Sequence, residues 1–425
     1  MNKMIQDSAE SAAHWQKEIY LNGFAGQRLR VSVDPTALEQ QAKAAMSPEA
    51  FAYIAGGAGV ESTVQNNRSA FEKYKIVPRM LRDVSVRTTS VELFGHTYAS
   101  PLFLAPVGVL EMVNAQADVA VAQAAHALRV PYIFSNQASK PMEDAARAMG
   151  DTPFWFQLYW SKSRELVASF VQRAERCGAK AIAVTLDTTM LGWRTRDLDI
   201  AYLPFLEGKG IAQYTSDPVF QKLMDVPSPP ASKRAVTWHS LAGLVKMTRN
   251  YPGNNFLAKL FSGRPLTAVQ KFVSLYSNPA LTWDDLAFLR QHTQLPVLLK
   301  GILHPDDARK ALDYGVDGIV ISNHGGRQVD GAVGTLEMLP AIRNAIGGRL
   351  PILLDGGIRG GADVFKALAL GATAVCIGRP YVYGLAIGGT QGVQEVIRNL
   401  LADFELTMGL AGCASIVEID ENFLT

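Results

Sequence analysis

Cysteine is scarce: Cys177, Cys376 and Cys413 are the three in 425 residues, an odd number and far apart. No C-x-x-C pair or His/Cys cluster accompanies them, so neither a disulfide framework nor a zinc centre is supported, and no metal is expected. This usage suits a reducing cytoplasm, which is the expected location. Long apolar runs are missing too. Nothing approaches the roughly 18 residues of a membrane-spanning helix, and Met1 to Ser11 lack the apolar stretch of a secretory signal. A net charge of +2 carries no footprint of nucleic-acid binding. There is also no G-x-G-x-x-G turn, the usual mark of an open doubly wound sheet. One stretch lacks acid altogether. From Val226 to Trp283 there is no Asp or Glu, yet there are seven basic residues: Lys233, Arg234, Lys246, Arg249, Lys259, Arg264 and Lys271. Interleaved with Leu, Phe, Val and Trp, they suit either peripheral contact with an anionic membrane or a solvated lid packed on the rest of the protein.

What the chain does contain is a recurrence. A helical stretch, a Gly or Pro and a short apolar run follow one another eight times between residues 101 and 379. The runs are 101–107, 131–136, 154–160, 179–187, 296–301, 316–323, 351–356 and 372–379, with alanine-rich amphipathic stretches between most of them. Short continuous apolar runs rich in Val, Ile and Leu suit parallel strands buried on both faces. Eight strands alternating with helices predict an α/β fold, a (β/α)₈ TIM barrel. It is read as one domain over 1–425: an N-terminal helical cap to about 100, a barrel over 101–379 with an insertion at about 197–283 after the fourth strand, and C-terminal helices over 380–425.

Barrel chemistry sits at the C-terminal ends of the strands, and here those ends are polar: Gln157 and Tyr159, Thr185 and Asp187, Lys300, Ser322-Asn-His324, Asp355, and Gly378-Arg379. The sharpest motif is Ser322-Asn-His-Gly-Gly-Arg-Gln328. His324 has the chemistry of a base working near neutral pH, and Arg327 can grip a carboxylate with two parallel hydrogen bonds. The bland alternative is a core histidine beside a surface arginine. A second pair, Leu354-Asp-Gly-Gly-Ile-Arg359 and Ile377-Gly-Arg379, ends the seventh and eighth runs, where many barrels hold a phosphate. Lys300 ends an apolar strand, where a lysine is costly unless paired or used. Asp187 could pair with His324 and raise the imidazole pKa, and Tyr53 and Tyr159 could bond substrate oxygens.

Together these residues resemble the FMN-dependent 2-hydroxy-acid oxidase and dehydrogenase family. The likeness runs from about Phe51 to Cys413, and its markers include Phe51-Ala-Tyr-Ile-Ala-Gly-Gly-Ala-Gly59, Phe156-Gln-Leu-Tyr159, Thr185-Leu-Asp-Thr188 and the two motifs above. The resemblance implies FMN as cofactor. It implies His324 as base polarised by Asp187, with Arg194, Arg327 and Tyr53 on the substrate carboxylate and Tyr159 on the hydroxyl side. Lys300 would sit near the flavin N1 and O2 edge. Pro106, Val107, Gly108, Ser135, Gln157, Thr185 and Ser322 would contact the ring or ribityl chain, and Asp355, Gly357, Arg359, Gly378 and Arg379 the ribityl and phosphate. It also implies a homotetramer.

Within the family the chain resembles the lactate 2-monooxygenases most, through Gly192-Trp-Arg-Thr-Arg-Asp-Leu198, the long connection from Asp187 to Lys300, and Gly108 where oxidases often carry alanine. That likeness implies oxidation of L-lactate with O₂ and decarboxylation of the retained product to acetate, CO₂ and water. The alternatives are an oxidase releasing pyruvate and peroxide, or a membrane-associated, quinone-linked dehydrogenase. Two departures stand out. Asn114-Ala-Gln-Ala-Asp118 replaces a more acidic family run, and Gln137 and Met190 flank the expected side-chain pocket, where Gln137 is more polar than a methyl group requires. A flavin barrel that isomerises would not need His324 beside Arg327, and a scaffold protein would not keep the whole set.

Overall fold

The computed structural model describes residues 12–226 and 237–425. Four N-terminal helices, Ala12–Phe24, Pro35–Ala45, Pro48–Ala55 and Ser62–Glu72, precede a short antiparallel hairpin of β1 (Val91–Leu93) and β2 (His96–Tyr98). The hairpin is an addition to the expected helical cap. Its turn, Phe94-Gly95, has φ of 51° and 74°; positive φ at both central residues matches the right-handed twist of the flanking strands.

Eight parallel strands then close a barrel. They are β3 (Leu102–Leu104), β4 (Tyr132–Phe134), β5 (Phe154–Tyr159), β6 (Ile182–Thr185), β7 (Val297–Ile302), β8 (Gly318–Ile321), β9 (Ile352–Asp355) and β10 (Ala374–Ile377), and β10 pairs back onto β3. Seven fall inside the apolar runs, and β7 extends one residue past its run, to Ile302. Alternate residues face two cores, which is why the runs are continuous rather than patterned. Leu104, Phe134, Phe156, Leu158, Ile182, Val184, Leu299 and Ile321 pack outward against the helices. Phe103, Ile133, Trp155, Ala183, Leu298, Val320, Leu353 and Cys376 fill the interior. At the N-terminal end the hairpin plugs this interior: the Trp155 indole donates to the Tyr98 hydroxyl at 3.0 Å, and Tyr98 also packs on Phe103.

Advancing two residues along the inward face of a strand, from Trp155, Ala183, Leu298 or Leu353, reaches Gln157, Thr185, Lys300 or Asp355. The packed interior thus gives way to polar groups at the C-terminal mouth.

The connection from β6 to β7 is helical, including Pro218–Met224, Trp238–Asn250, Phe256–Ser262 and Arg264–Leu275. Asp217, fully buried, ties it to the barrel: it accepts from Arg173 at 3.0 Å and from Ser169 at 2.8 Å. Phe272 and Tyr214 pack edge to face at 4.8 Å, and Tyr214 meets Phe170 at 4.9 Å. Of the basic residues of this segment, Lys271 is buried, while Lys246 and Arg249 stay exposed. Lys246 pairs with Glu207 at 2.5 Å and Arg264 with Asp225 at 3.0 Å, while Lys259 and Lys271 donate to the Tyr251 and Val226 carbonyls. Lys233 and Arg234 lie outside the described residues. Among the described residues no helix is long and apolar enough to cross a membrane. A C-terminal helix, Arg379–Ala411, bends at Gly389 (φ 58°), and the chain ends in two 3₁₀ turns rather than further helices.

Candidate functional site

A cavity at the C-terminal mouth collects residues from every part of the chain. Tyr53 comes from the N-terminal cap and Pro106, Val107 and Gly108 from the loop after β3. Gln157 and Tyr159 end β5, Thr185 ends β6, and Arg194 follows in the loop after β6. Lys300, His324, Arg327, Asp355, Gly357, Arg359, Gly378 and Arg379 also line it.

His324 sits in the left-handed region, at φ 58°. Its backbone N–H donates to Ser322 Oγ at 3.1 Å. The preceding Asn323 is locked by a reciprocal amide pair with Asn67, at 2.7 and 2.8 Å. Nδ1 meets Asp187 Oδ1 at 2.8 Å and Thr188 Oγ1 at 3.1 Å. Burial alone would raise the Asp187 pKa, but the imidazole and Lys300 hold it below its ordinary value. An ionised carboxylate only accepts, so Nδ1 carries the proton and Nε2 presents its lone pair, 3.4 Å from the Tyr159 hydroxyl.

Here the structure corrects the expected direction of the His324 shift. Burial lowers its pKa from the ordinary 6.5; Asp187 pulls upward, but Lys300 and Arg194 add to the lowering and the net shift is down. The base form therefore persists below pH 6.5, and kcat/KM should fall only as pH drops through that lowered value. Asp187→Asn removes the upward pull, so the acid limb should move to still lower pH while the plateau falls, because the protonated ring has lost its counter-charge. A pH profile of kcat/KM from about pH 5 to 8 tests this, and an acid limb centred above 6.5 would contradict it.

Arg194 and Arg327 form a second cluster. Arg327 Nη1 donates to the carbonyls of Tyr53 and Gly56, and its guanidinium lies 4.9 Å over the Tyr53 ring. Arg194 donates to Gln328 Oε1 at 3.2 Å. Burial, and then the neighbouring Arg194, push the Arg327 pKa down to about 9. Two like charges buried side by side form a donor set suited to a carboxylate.

Lys300 is buried, and donates to Ser322 Oγ at 2.7 Å and to Asp355 Oδ2 at 3.0 Å. Burial works against its charge, but Asp355 and Asp187 hold its pKa above the ordinary value.

Two expected cofactor contacts fall elsewhere. Ser135 and Ser322 do not line the cavity: their hydroxyls accept from the Gln137 N–H and from Lys300, behind the wall. Asp187 does not line the cavity either, but stands behind His324 and pairs with it as expected. Arg379 lines the cavity, but its guanidinium is spread over the carbonyls of Ile54, Gly325 and Gly56 at 2.9–3.1 Å. Met190 is 68% exposed and points away, and Leu191 lines the cavity in its place. The 114–118 departure also faces away, with buried Asp118 accepting from the Ser139 and Lys140 N–H groups.

Residues without an earlier role join the site: Thr188 on His324, and Phe205 and Tyr276 from the insertion. Thr188 is adjacent to Asp187 and was open to reading. Phe205 and Tyr276 are 71 positions apart by number, and only the fold brings them together.

A sequence profile described as FMN-dependent dehydrogenase matches residues 42–425. The chain belongs to the FMN-dependent dehydrogenase family. Similar members include the L-lactate oxidase of Lysinibacillus sphaericus, 44% identical with 86% of each chain covered. Another is the FMN-dependent alpha-hydroxy acid dehydrogenase qulF of Penicillium citrinum, 42% identical over 96% of this chain and 94% of that one. Among solved structures, mandelate oxidase with (S)-4-hydroxymandelic acid superposes with a TM-score of 0.76 at 35% identity, covering 93% of this chain and 98% of that one.

FMN is the family's cofactor, and the residues present fit it. Gln157 Nε2, Thr185 Oγ1 and Asp355 Oδ1 are buried without a hydrogen-bond partner, and all three belong to the cavity lining. Such groups suit the polar edge and ribityl hydroxyls of a flavin. Burial, followed by Arg379, pushes the Arg359 pKa down to about 10, and burial lowers that of Arg379 as well, so both cations favour an anion such as a phosphate. Gly357, at φ 90°, lines the same cavity; a Cβ there would come 2.3 Å from the Asn67 carbonyl oxygen, so only glycine permits this close turn.

Proposed function

We propose that the protein oxidises the C2 hydroxyl of an L-2-hydroxy acid to the 2-oxo acid. The observation that carries this reading is one cavity holding both the His324–Asp187 pair and the Arg194–Arg327 pair, with Tyr53 and Tyr159 between them. FMN supplies the two-electron acceptor. The arginines hold the carboxylate, and Tyr159 and His324 meet the hydroxyl. Loss of two electrons and two protons converts the C2 alcohol to a carbonyl, and His324 Nε2 accepts one of those protons. Asp187 then stabilises the imidazolium through Nδ1, while Thr188 keeps the carboxylate turned toward the ring with a 3.0 Å bond.

L-Lactate with O₂ is the substrate pair that the likeness to lactate 2-monooxygenases puts forward, with acetate, CO₂ and water as products. Support comes from Gly108. A Cβ at this position would lie 2.9 Å from the Gln137 carbonyl oxygen, so glycine lets the loop after β3 seat against the next loop and close that side of the cavity. A closed wall favours slow release of the 2-oxo acid. Aerobic turnover of L-lactate without catalase, counting acetate, pyruvate and peroxide together, tests this. Acetate with little peroxide is the expected outcome. Pyruvate with an equal amount of peroxide makes the protein a simple oxidase and discards the decarboxylation. Failure of every 2-hydroxy acid to bleach the flavin discards the reaction class.

A further inference from the structure

The arginine pair that faces the substrate carboxylate has a charged neighbour with no part in the chemistry above. Arg194 stands at the entry of the short helix Thr195–Asp199, and the Leu198 N–H closes the first turn on the Arg194 carbonyl at 3.0 Å. Asp197, three positions after Arg194, therefore returns to the same side of that turn. It is 7% exposed, and its Oδ1 is buried without a hydrogen-bond partner. The positive groups acting on it are Arg194 and Arg196 of its own turn and Arg327 of the loop after β8. Burial raises its pKa above the ordinary 3.8, and these guanidiniums pull it back.

Other groups hold this turn in place. The Gly59 N–H donates to the Trp193 carbonyl at 2.8 Å, and the Thr195 hydroxyl donates to the Gly59 carbonyl at 2.8 Å. Arg196 pairs with Glu61 at 2.6 Å, so its charge is already matched. Arg194 donates to Gln328 Oε1, and the carbonyls of Tyr53 and Gly56 hold the Arg327 guanidinium. A buried carboxylate oxygen without a donor is costly, and here it contributes no structural bond in return. What it contributes is negative charge beside two buried cations.

That charge alters the balance of the pair. Two guanidiniums alone would stay positive after a carboxylate had bound between them. With Asp197 ionised, the same bound state is neutral overall. Charges in a buried site are weakly screened, so a fixed negative charge close by lowers the affinity for an incoming anion.

We infer that Asp197 is a positioning residue of the carboxylate site whose negative charge, acting through Arg194 and Arg327, limits how tightly a carboxylate is held and so lets the 2-oxo acid leave. This rests on the oxidation proposed above and adds a control on product release at the same site. The wall closed at Gly108 and the arginine pair act separately on the product: the wall slows its exit, and Asp197 weakens its electrostatic hold.

The test measures the Kd of pyruvate and of its neutral amide, pyruvamide, by titrating the absorbance of the FMN-loaded protein at about pH 7.5, where an aspartate is ordinarily ionised. Asp197→Asn keeps the shape and removes the charge, whereas Asp197→Glu keeps the charge. Asp197→Asn should bind pyruvate about tenfold more tightly than the wild type, while pyruvamide moves by less than about twofold, as expected when a buried like charge is removed from beside an anion. Asp197→Glu should stay near the wild type for both ligands. A loosened or partly unfolded site would weaken both together and cannot produce this split. If Asp197→Asn binds pyruvate no more tightly, or shifts pyruvamide by the same factor, the inference is wrong, and the oxidation stands wherever L-lactate still bleaches the flavin. If the split appears but no 2-hydroxy acid bleaches the wild-type flavin, Asp197 keeps its hold on an anion site and the oxidation falls. If pyruvate binds neither the wild type nor either variant, the inference falls.

Discussion

His324→Gln should keep its flavin and lose roughly 10²–10⁴-fold or more in kcat, the contribution expected of a positioned general base. Glutamine is close in volume and still presents a donor toward Asp187, so the Asn67–Asn323 pair and the turn through Gly325 and Gly326 have no reason to open. What it cannot do is take a proton at the position of Nε2, 3.4 Å from the Tyr159 hydroxyl. The visible absorbance of the bound flavin reports retention, and steady-state turnover reports the loss. A variant within tenfold of the wild-type rate would remove His324 from its role. The same variant should still bind a 2-oxo acid, because Arg194 and Arg327 are untouched.

Lys300→Met should be the most damaging substitution for stability. It leaves Asp355 as a buried carboxylate whose Oδ2 has lost its cation and whose Oδ1 has no hydrogen-bond partner in the protein. Removing one member of a buried ion pair costs about 3–5 kcal/mol, which should appear as a large drop in the urea midpoint and as weaker retention of FMN. Ser322 loses the donor at 2.7 Å on its hydroxyl, which also receives the His324 N–H, so the backbone under the base loosens too. The double variant Lys300→Met/Asp355→Leu should regain most of the midpoint, since no orphaned charge remains. If the single variant is as stable as the wild type, the pair does not have the structural weight given to it here.

Much of this was legible in the amino-acid order, and the reasons are physical. A barrel strand with two buried faces must be a short, unbroken apolar run, so each of the eight announced itself. The polar residue two places beyond the last inward apolar one marks the mouth, which made Gln157, Thr185, Lys300 and Asp355 readable without knowing the pairing. The hairpin at Val91–Tyr98 escaped because three-residue strands carry too few alternations to stand out from a loop. The His324 shift was misjudged because a sequence displays its partner, Asp187, but not the burial and the two cations that outweigh it. Ser135 and Ser322 look like cofactor contacts by position; that their hydroxyls are used on Gln137 and on Lys300 is a matter of packing. Phe205 and Tyr276 illustrate the limit most clearly, since their proximity depends on how a long helical connection folds back through Asp217 and Arg173.

That division of labour has an evolutionary consequence. Redox chemistry is fixed by side chains at strand ends, where any shift disturbs a closed ring of eight. Phe205 and Tyr276 of the cavity wall come instead from one excursion of the chain, fastened by a buried ion pair at its base and otherwise outside the ring. On the oxidation proposed above, substitutions beyond Arg194 in this connection can therefore alter the cavity wall, while Asp187, Thr188 and Arg194 at its start keep the reaction constant. For the same reason, a chimera that exchanged this excursion for that of a relative would inherit the donor's taste in acids and keep the host's flavin.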